Sequence, residues 1–85
     1  MKSFSYVITD PDGIHARPAG QLVKTAGKFQ CNITIEKDGK EADAKRIFGI
    51  MGLAAKKGHE IIIKANGSDE DEAIEELKSF LIENM

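Results

Sequence analysis

The segment Gly13-Ile14-His15-Ala16-Arg17-Pro18-Ala19 concentrates the chemistry of this 85-residue chain. His15 falls between the turn-forming Asp10-Pro11-Asp12-Gly13 and a stretch with helical spacing. A helix start carries free N–H groups and the positive end of the helix dipole, so it receives anions. Neutral imidazole is a nucleophile and is abundant at neutral pH. A phosphoryl group accepted by His15 would meet the amides around Ala16 directly. Arg17 adds a charge-assisted contact to the same oxygens. Pro18 shapes the first turn without consuming a donor. Such a carrier must keep its imidazole exposed, because donor and acceptor approach in line. The competing reading is an ordinary helix-start histidine that caps or is solvated.

The elements that must position this histidine are legible in the pattern. Lys2 to Thr9 alternates, with Phe4, Tyr6 and Ile8 on one face and Ser3 and Ser5 on the other, which predicts a half-buried strand. Ala16 to Ala26 predicts a helix, with Ala19, Leu22, Val23 and Ala26 at helical spacing and Gly27 at its end. Gly20 weakens that helix and reads as a place of close contact. Cys31 to Glu36 predicts a second strand. Asp38-Gly39 then signals a hairpin, and Lys40 to Ala44 a polar edge strand. Arg46 to Leu53 predicts a short helix with Ile47, Ile50 and Met51 aligned. Ile61-Ile62-Ile63 predicts a strand core closed by Asn66-Gly67. Ser68 is placed to cap a last helix whose buried stripe is Ile74, Leu77, Phe80 and Leu81. The order β-α-β-β-α-β-α predicts a two-layer α+β sandwich.

Length and composition bound the rest. A chain of 85 residues with 41% apolar and 31% charged residues predicts one soluble domain, residues 1–85. No apolar stretch approaches the roughly 20 residues of a membrane span, and the N-terminus lacks the apolar block of a signal peptide. The lone Cys31 closes no disulfide within the chain, so a cytoplasmic location is expected. A net charge of −2 argues against a general nucleic-acid binder. Residues 1–68 carry eleven basic against seven acidic side chains, whereas residues 69–76 hold six acids. The basic body suits acidic proteins or small anions.

Other candidates carry less. Ile47 and Ile50 serve core packing or function equally well. Phe48 is hard to bury on so short a helix, and an exposed apolar patch marks docking surfaces. Cys31 reads as a buried, inert thiol, and His59 as a solvated or structural histidine. The spacing shows no metal cluster, no glycine loop that cradles phosphates and no catalytic triad. No cofactor is therefore expected. A hydrolytic enzyme would need a water-activating base beside His15 and a pocket. Asp10 and Asp12 lie nearby, but turn chemistry accounts for them.

Gly13-Ile14-His15-Ala16-Arg17-Pro18-Ala19 resembles the phosphohistidine motif of the HPr family, carriers of the bacterial phosphoenolpyruvate-dependent sugar phosphotransferase system. The resemblance extends along the chain through Lys45 to Ile61 and the acid-started last helix. It implies an open-faced β-sandwich, an antiparallel sheet ordered 1-4-2-3 with three helices on one face. It implies a carrier rather than an enzyme. His15 would take a phosphoryl group on Nδ1 from enzyme I and pass it to IIA domains of sugar permeases, with Arg17 supporting the phosphate. It implies docking through Ile47, Phe48 and Met51, near Gly20 and ringed by Lys24, Lys45 and Arg46. A carrier that alternates between partners is expected to be monomeric. A nitrogen-regulatory relay on the same histidine, or a regulatory binding module of the same fold, are the alternatives. One position departs from many family members: Lys45-Arg46-Ile47 has Arg46 where a regulatory serine stands, so phosphoserine control is not expected here.

Overall fold

A computed structural model describes residues 1–85. The chain runs β1 (Lys2–Val7), α1 (Ala16–Ala26), β2 (Asn32–Lys37), β3 (Lys40–Asp43), α2 (Ile47–Gly52), β4 (Glu60–Asn66) and α3 (Glu70–Asn84). The strands form one sheet ordered β1-β4-β2-β3, with every neighbouring pair antiparallel. The α+β open-faced sandwich expected from the sequence is the fold observed.

Strand alternation decides which sheet face meets the helices. Phe4 pairs with Ile63, which pairs in turn with Ile35, and Ile35 with Ala42. Ile33, Ile35, Ile61 and Ile63 are buried almost completely. On the opposite face Ser5, Ile62, Glu36 and Glu41 lie in register. There Lys64 Nζ donates to Glu36 at 2.7 Å and to Glu41 at 3.1 Å. These charges suit a face open to water and would be costly under a helix. Helices therefore gather on the other side: Leu22, Ile50, Leu77 and Leu81 are fully buried against the isoleucines. Truncating any one of them to Ala would cost about 2–5 kcal/mol.

The Asp38-Gly39 hairpin forms as expected, with φ of +52° and +81°, the left-handed pair that a tight two-residue hairpin requires. The last helix starts differently from its sequence expectation. Ser68 does not cap it; Asp69 is the residue at the N-cap, and no side chain there bonds the helix amides. The Asp69 carboxylate instead accepts the amides of Gln30 at 2.8 Å and Cys31 at 2.9 Å. Glu70 reaches back to the Gly67 amide at 3.2 Å. A carboxylate that binds two free amides of another segment gains more than a local cap. These contacts seat the α1–β2 connection on the start of α3. Cys31 is buried beside them, and burial, then Asp69, pushes its thiol up to about 11. The buried thiol read from the sequence is the one observed, and a raised thiol is a poor nucleophile at neutral pH. His59 is structural, as expected: its Nδ1 accepts the Lys56 amide at 3.0 Å.

Candidate functional site

Residues 8–15 carry the chain from the end of β1 to the start of α1, and hydrogen bonds hold them along their length. Thr9 and Asp10 amides both donate to the Met85 main-chain oxygen, at 2.6 and 2.8 Å. Asp10 Oδ1 accepts the Asp12 amide at 2.8 Å, which shapes the turn. Ile14 donates to the Ala55 carbonyl at 3.0 Å. Gly13 is required between them. Its φ is +66°, and a Cβ there would lie 2.4 Å from the Ala55 oxygen, closer than any side chain tolerates.

His15 is the N-cap of α1, with extended backbone (φ −108°, ψ −177°) and no side-chain bond to the helix. Its carbonyl accepts the Ala19 amide at 3.0 Å, which starts the helical ladder. The amides of Ala16 and Arg17 precede that ladder, and Pro18 has none to offer. The imidazole is open to solvent, while Pro18 and Ala19 are buried and anchor the first turn. His15, Arg17 and Pro18 share an open pocket of about 250 Å³ with Asp10, Gln21 and Asn84. No hydrophobic residue lines it. A polar, open hollow at a helix start suits a small anion held briefly at the surface.

Asp10, Gln21 and Asn84 were not singled out as site residues in the sequence. Gln21 follows from its place one turn along α1, on the same helix face as Arg17 and Pro18. Asn84 lies 69 positions from His15 by residue number, and no local pattern connects it to the motif. Its side chain donates to the Phe80 carbonyl at 2.9 Å, which fixes it at the end of α3. Donor atoms of Asp10, Asp12 and His15 come within 4.8 Å of one another. Turn chemistry accounts for the Asp10 oxygen, yet it also brings two carboxylates to the imidazole.

The second group of residues divides. Ile47 is half-buried and lies over Gly20, where an added methyl would sit 3.8 Å from Ile47 Cδ1. That is ordinary contact, so Gly20 is not forced by crowding. Phe48 is 86% exposed and Met51 38% exposed, while Ile50 faces the core. Lys24 and Arg46 are exposed. Arg46 approaches only Asp43, at 3.8 Å, an exposed pair of little energetic weight. Lys45 is not free like these two. Its ammonium donates to the Phe29 carbonyl at 2.7 Å, and it lines a hollow over β2 and β3 with Asn32, Thr34 and Glu41.

Comparison with known proteins agrees with this geometry. The family model described as the PTS HPr component phosphorylation site matches residues 2–83. The phosphocarrier protein HPr of Mycoplasma capricolum is 47% identical over 83 residues, covering 98% of this chain and 93% of that protein. The solved structure of a mycoplasma histidine-containing phosphocarrier protein superposes with a TM-score of 0.94 at 46% identity, covering 96% of this chain and 93% of that one. An HPr dimer from Thermoanaerobacter tengcongensis superposes with a TM-score of 0.75 at 46% identity, covering 98% and 94%. With an exposed histidine capping the first helix and a family match along nearly its whole length, the chain belongs to the HPr family of phosphocarrier proteins.

Proposed function

We propose that this protein accepts a phosphoryl group on His15 Nδ1 from phosphorylated enzyme I and passes it to IIA domains of sugar permeases. One observation carries the reading: His15 caps α1 beside Arg17 in an open polar pocket. In the accepting step the Nδ1 lone pair attacks phosphorus and an N–P bond forms. The bond from phosphorus to the donor atom breaks, and that atom keeps the electron pair. Nε2 keeps its proton. In this reading the amides of Ala16 and Arg17 and the Arg17 guanidinium supply the donors that the new dianion needs. Onward transfer is the same step with His15 as the leaving group. The protein is a stoichiometric carrier and regains its starting state only through its partners.

Partner docking is assigned to Phe48 and Met51, with Ile47 and Gly20 beneath them and Lys24 and Arg46 at the rim. An exposed apolar centre with cationic edges fits a partner surface with an apolar cleft and acidic rim. Lys45 contributes a fixed charge. Carrier work in the cytoplasm, as a monomer that meets each partner singly, completes the reading.

The test is phosphorylation by enzyme I and phosphoenolpyruvate, followed by intact mass. The parent gains one phosphoryl group that acid removes, and His15→Ala gains none. Uptake by His15→Ala would overturn the assignment.

A further inference from the structure

We propose that Asp10 and Asp12 set the phosphoryl-transfer potential of His15: their carboxylates raise the free energy of the phosphorylated imidazole, so the group leaves readily for its next acceptor. The inference rests on the carrier reading and names further residues of that same site.

Donor atoms of the two carboxylates and the imidazole lie within 4.8 Å of one another. Asp10 also lines the same pocket as His15 and Arg17. Neither carboxylate forms a salt bridge, whereas Asp71, Glu76, Glu36 and Glu41 each meet a lysine. The fold does not require their charge. The turn needs an acceptor at position 10 for the Asp12 amide, and a neutral Asn would supply one. The Asp12 carboxylate is exposed and accepts no hydrogen bond. Two carboxylates without a salt-bridge partner therefore stand beside the imidazole that receives a dianion.

The consequence follows from like-charge repulsion. A dianion about 5 Å from a carboxylate in a water-like medium is disfavoured by a factor of several, more at low ionic strength. The helix amides and Arg17 act in the opposite sense. The site thus binds a phosphoryl group without retaining it. When the group departs, the N–P bond breaks, the nitrogen keeps the pair, and the phosphoryl carries its negative charge to the acceptor nucleophile. The repulsion is relieved on departure. It is felt fully only by the phosphorylated carrier.

The experiment compares the parent with Asp10→Asn, Asp12→Asn, the double variant and Asp12→Glu. Each protein is first labelled with phosphoramidate, which gives up its phosphoryl group to histidine and leaves as ammonia. The exchange constant with enzyme I is then read by intact mass at low salt and at about 1 M salt. Each Asn variant is expected to shift exchange towards the phosphorylated carrier by about threefold to tenfold at low salt. The double variant shifts further, and Asp12→Glu behaves as the parent. The shifts shrink towards unity at about 1 M salt, where charges are screened beyond about 3 Å. Unchanged exchange constants at low salt overturn the inference. Shifts of equal size at both salt concentrations also overturn it, because a rearranged turn is indifferent to salt. A parent that takes no phosphoryl group at His15 overturns the carrier reading itself, and the phosphoramidate step reveals that before any variant is compared.

Discussion

The Ile14 amide donates to the Ala55 carbonyl at 3.0 Å, so the residue before His15 hangs from the segment that follows α2. Gly13 leaves the room for this. A Cβ at that position would also lie 2.7 Å from Lys56 Cα. Both obstacles are backbone and cannot swing aside. Gly13→Ala is expected to destabilise the protein by about 3 kcal/mol, from overpacking and the left-handed backbone together. It should also slow phosphorylation of His15 in the fraction that remains folded. Urea melts and single-turnover phosphorylation measure the two effects. A variant as stable as the parent would mean that residues 13 and 55 are not held this closely.

In the proposed mechanism Arg17 acts on the transferred group rather than on the partner. Arg17→Ala is expected to slow transfer roughly tenfold to a hundredfold while binding to unphosphorylated enzyme I changes little. Stopped mixing followed by mass analysis gives the rate, and calorimetry gives the affinity. A loss of affinity with an unchanged transfer rate would move Arg17 to the docking surface.

Phe48 is 86% exposed, so its side chain supports little of the fold. Phe48→Asp should leave unfolding free energy within about 0.5 kcal/mol of the parent. Affinity for enzyme I and for a IIA domain should fall at least about tenfold, as for an apolar anchor at an interface centre. If both partners bind the variant as tightly as the parent, docking does not run through Phe48.

The Asp69 carboxyl is held below the usual carboxylate range, first by the Gln30 amide and then by Cys31. Glu70 is lowered as well, first by the Gly67 amide. A depressed folded-state value means stability that is present above the unfolded value of roughly 4 and is lost as pH falls through the folded value. Asp69→Asn should therefore destabilise the protein at neutral pH and make progressively less difference as pH falls through the lowered folded-state value. Urea melts across that range check this. A destabilisation of the same size at both ends would point to lost geometry rather than lost charge.

Gly20 sits in the interior of α1 with room for a methyl group 3.8 Å from Ile47 Cδ1. Gly20→Ala should stabilise the protein by about 1 kcal/mol through helix propensity. Thermal unfolding reads the gain. A loss of stability would show that Ile47 packs more tightly on Gly20 than an ordinary contact.

Local chemistry wrote much of this molecule in readable form. Alternation around Phe4, Tyr6 and Ile8 assigned the first strand and its buried face, because side chains of a strand alternate between water and core. Helix α1 spans Ala16–Ala26 as its spacing predicts, because the apolar stripe and its two ends lie within one segment. Asp38-Gly39 closes a hairpin because few other pairs accept two left-handed residues in succession. The motif around His15 was legible for the same reason: an imidazole, a helix start and a guanidinium fall within three residues. The strand order 1-4-2-3 was not in the periodicity. It came from the family resemblance, since alternation identifies a strand's faces but not its neighbours.

Long-range packing settled the remainder. Ser68 has the chemistry of a cap, yet Asp69 stands at the N-cap and gives its carboxylate to Gln30 and Cys31. A distant segment with two free amides outcompeted the local contact. Lys45 looked like one charge of an exposed ring, but the Phe29 carbonyl lies within its reach and holds it. Asn84 reaches the His15 pocket from the far end of the chain, carried there by the core packing of Leu77 and Leu81. Hydrogen-bond partners of this kind depend on which backbone groups packing leaves unpaired, and that becomes defined only when the helices lie on the sheet.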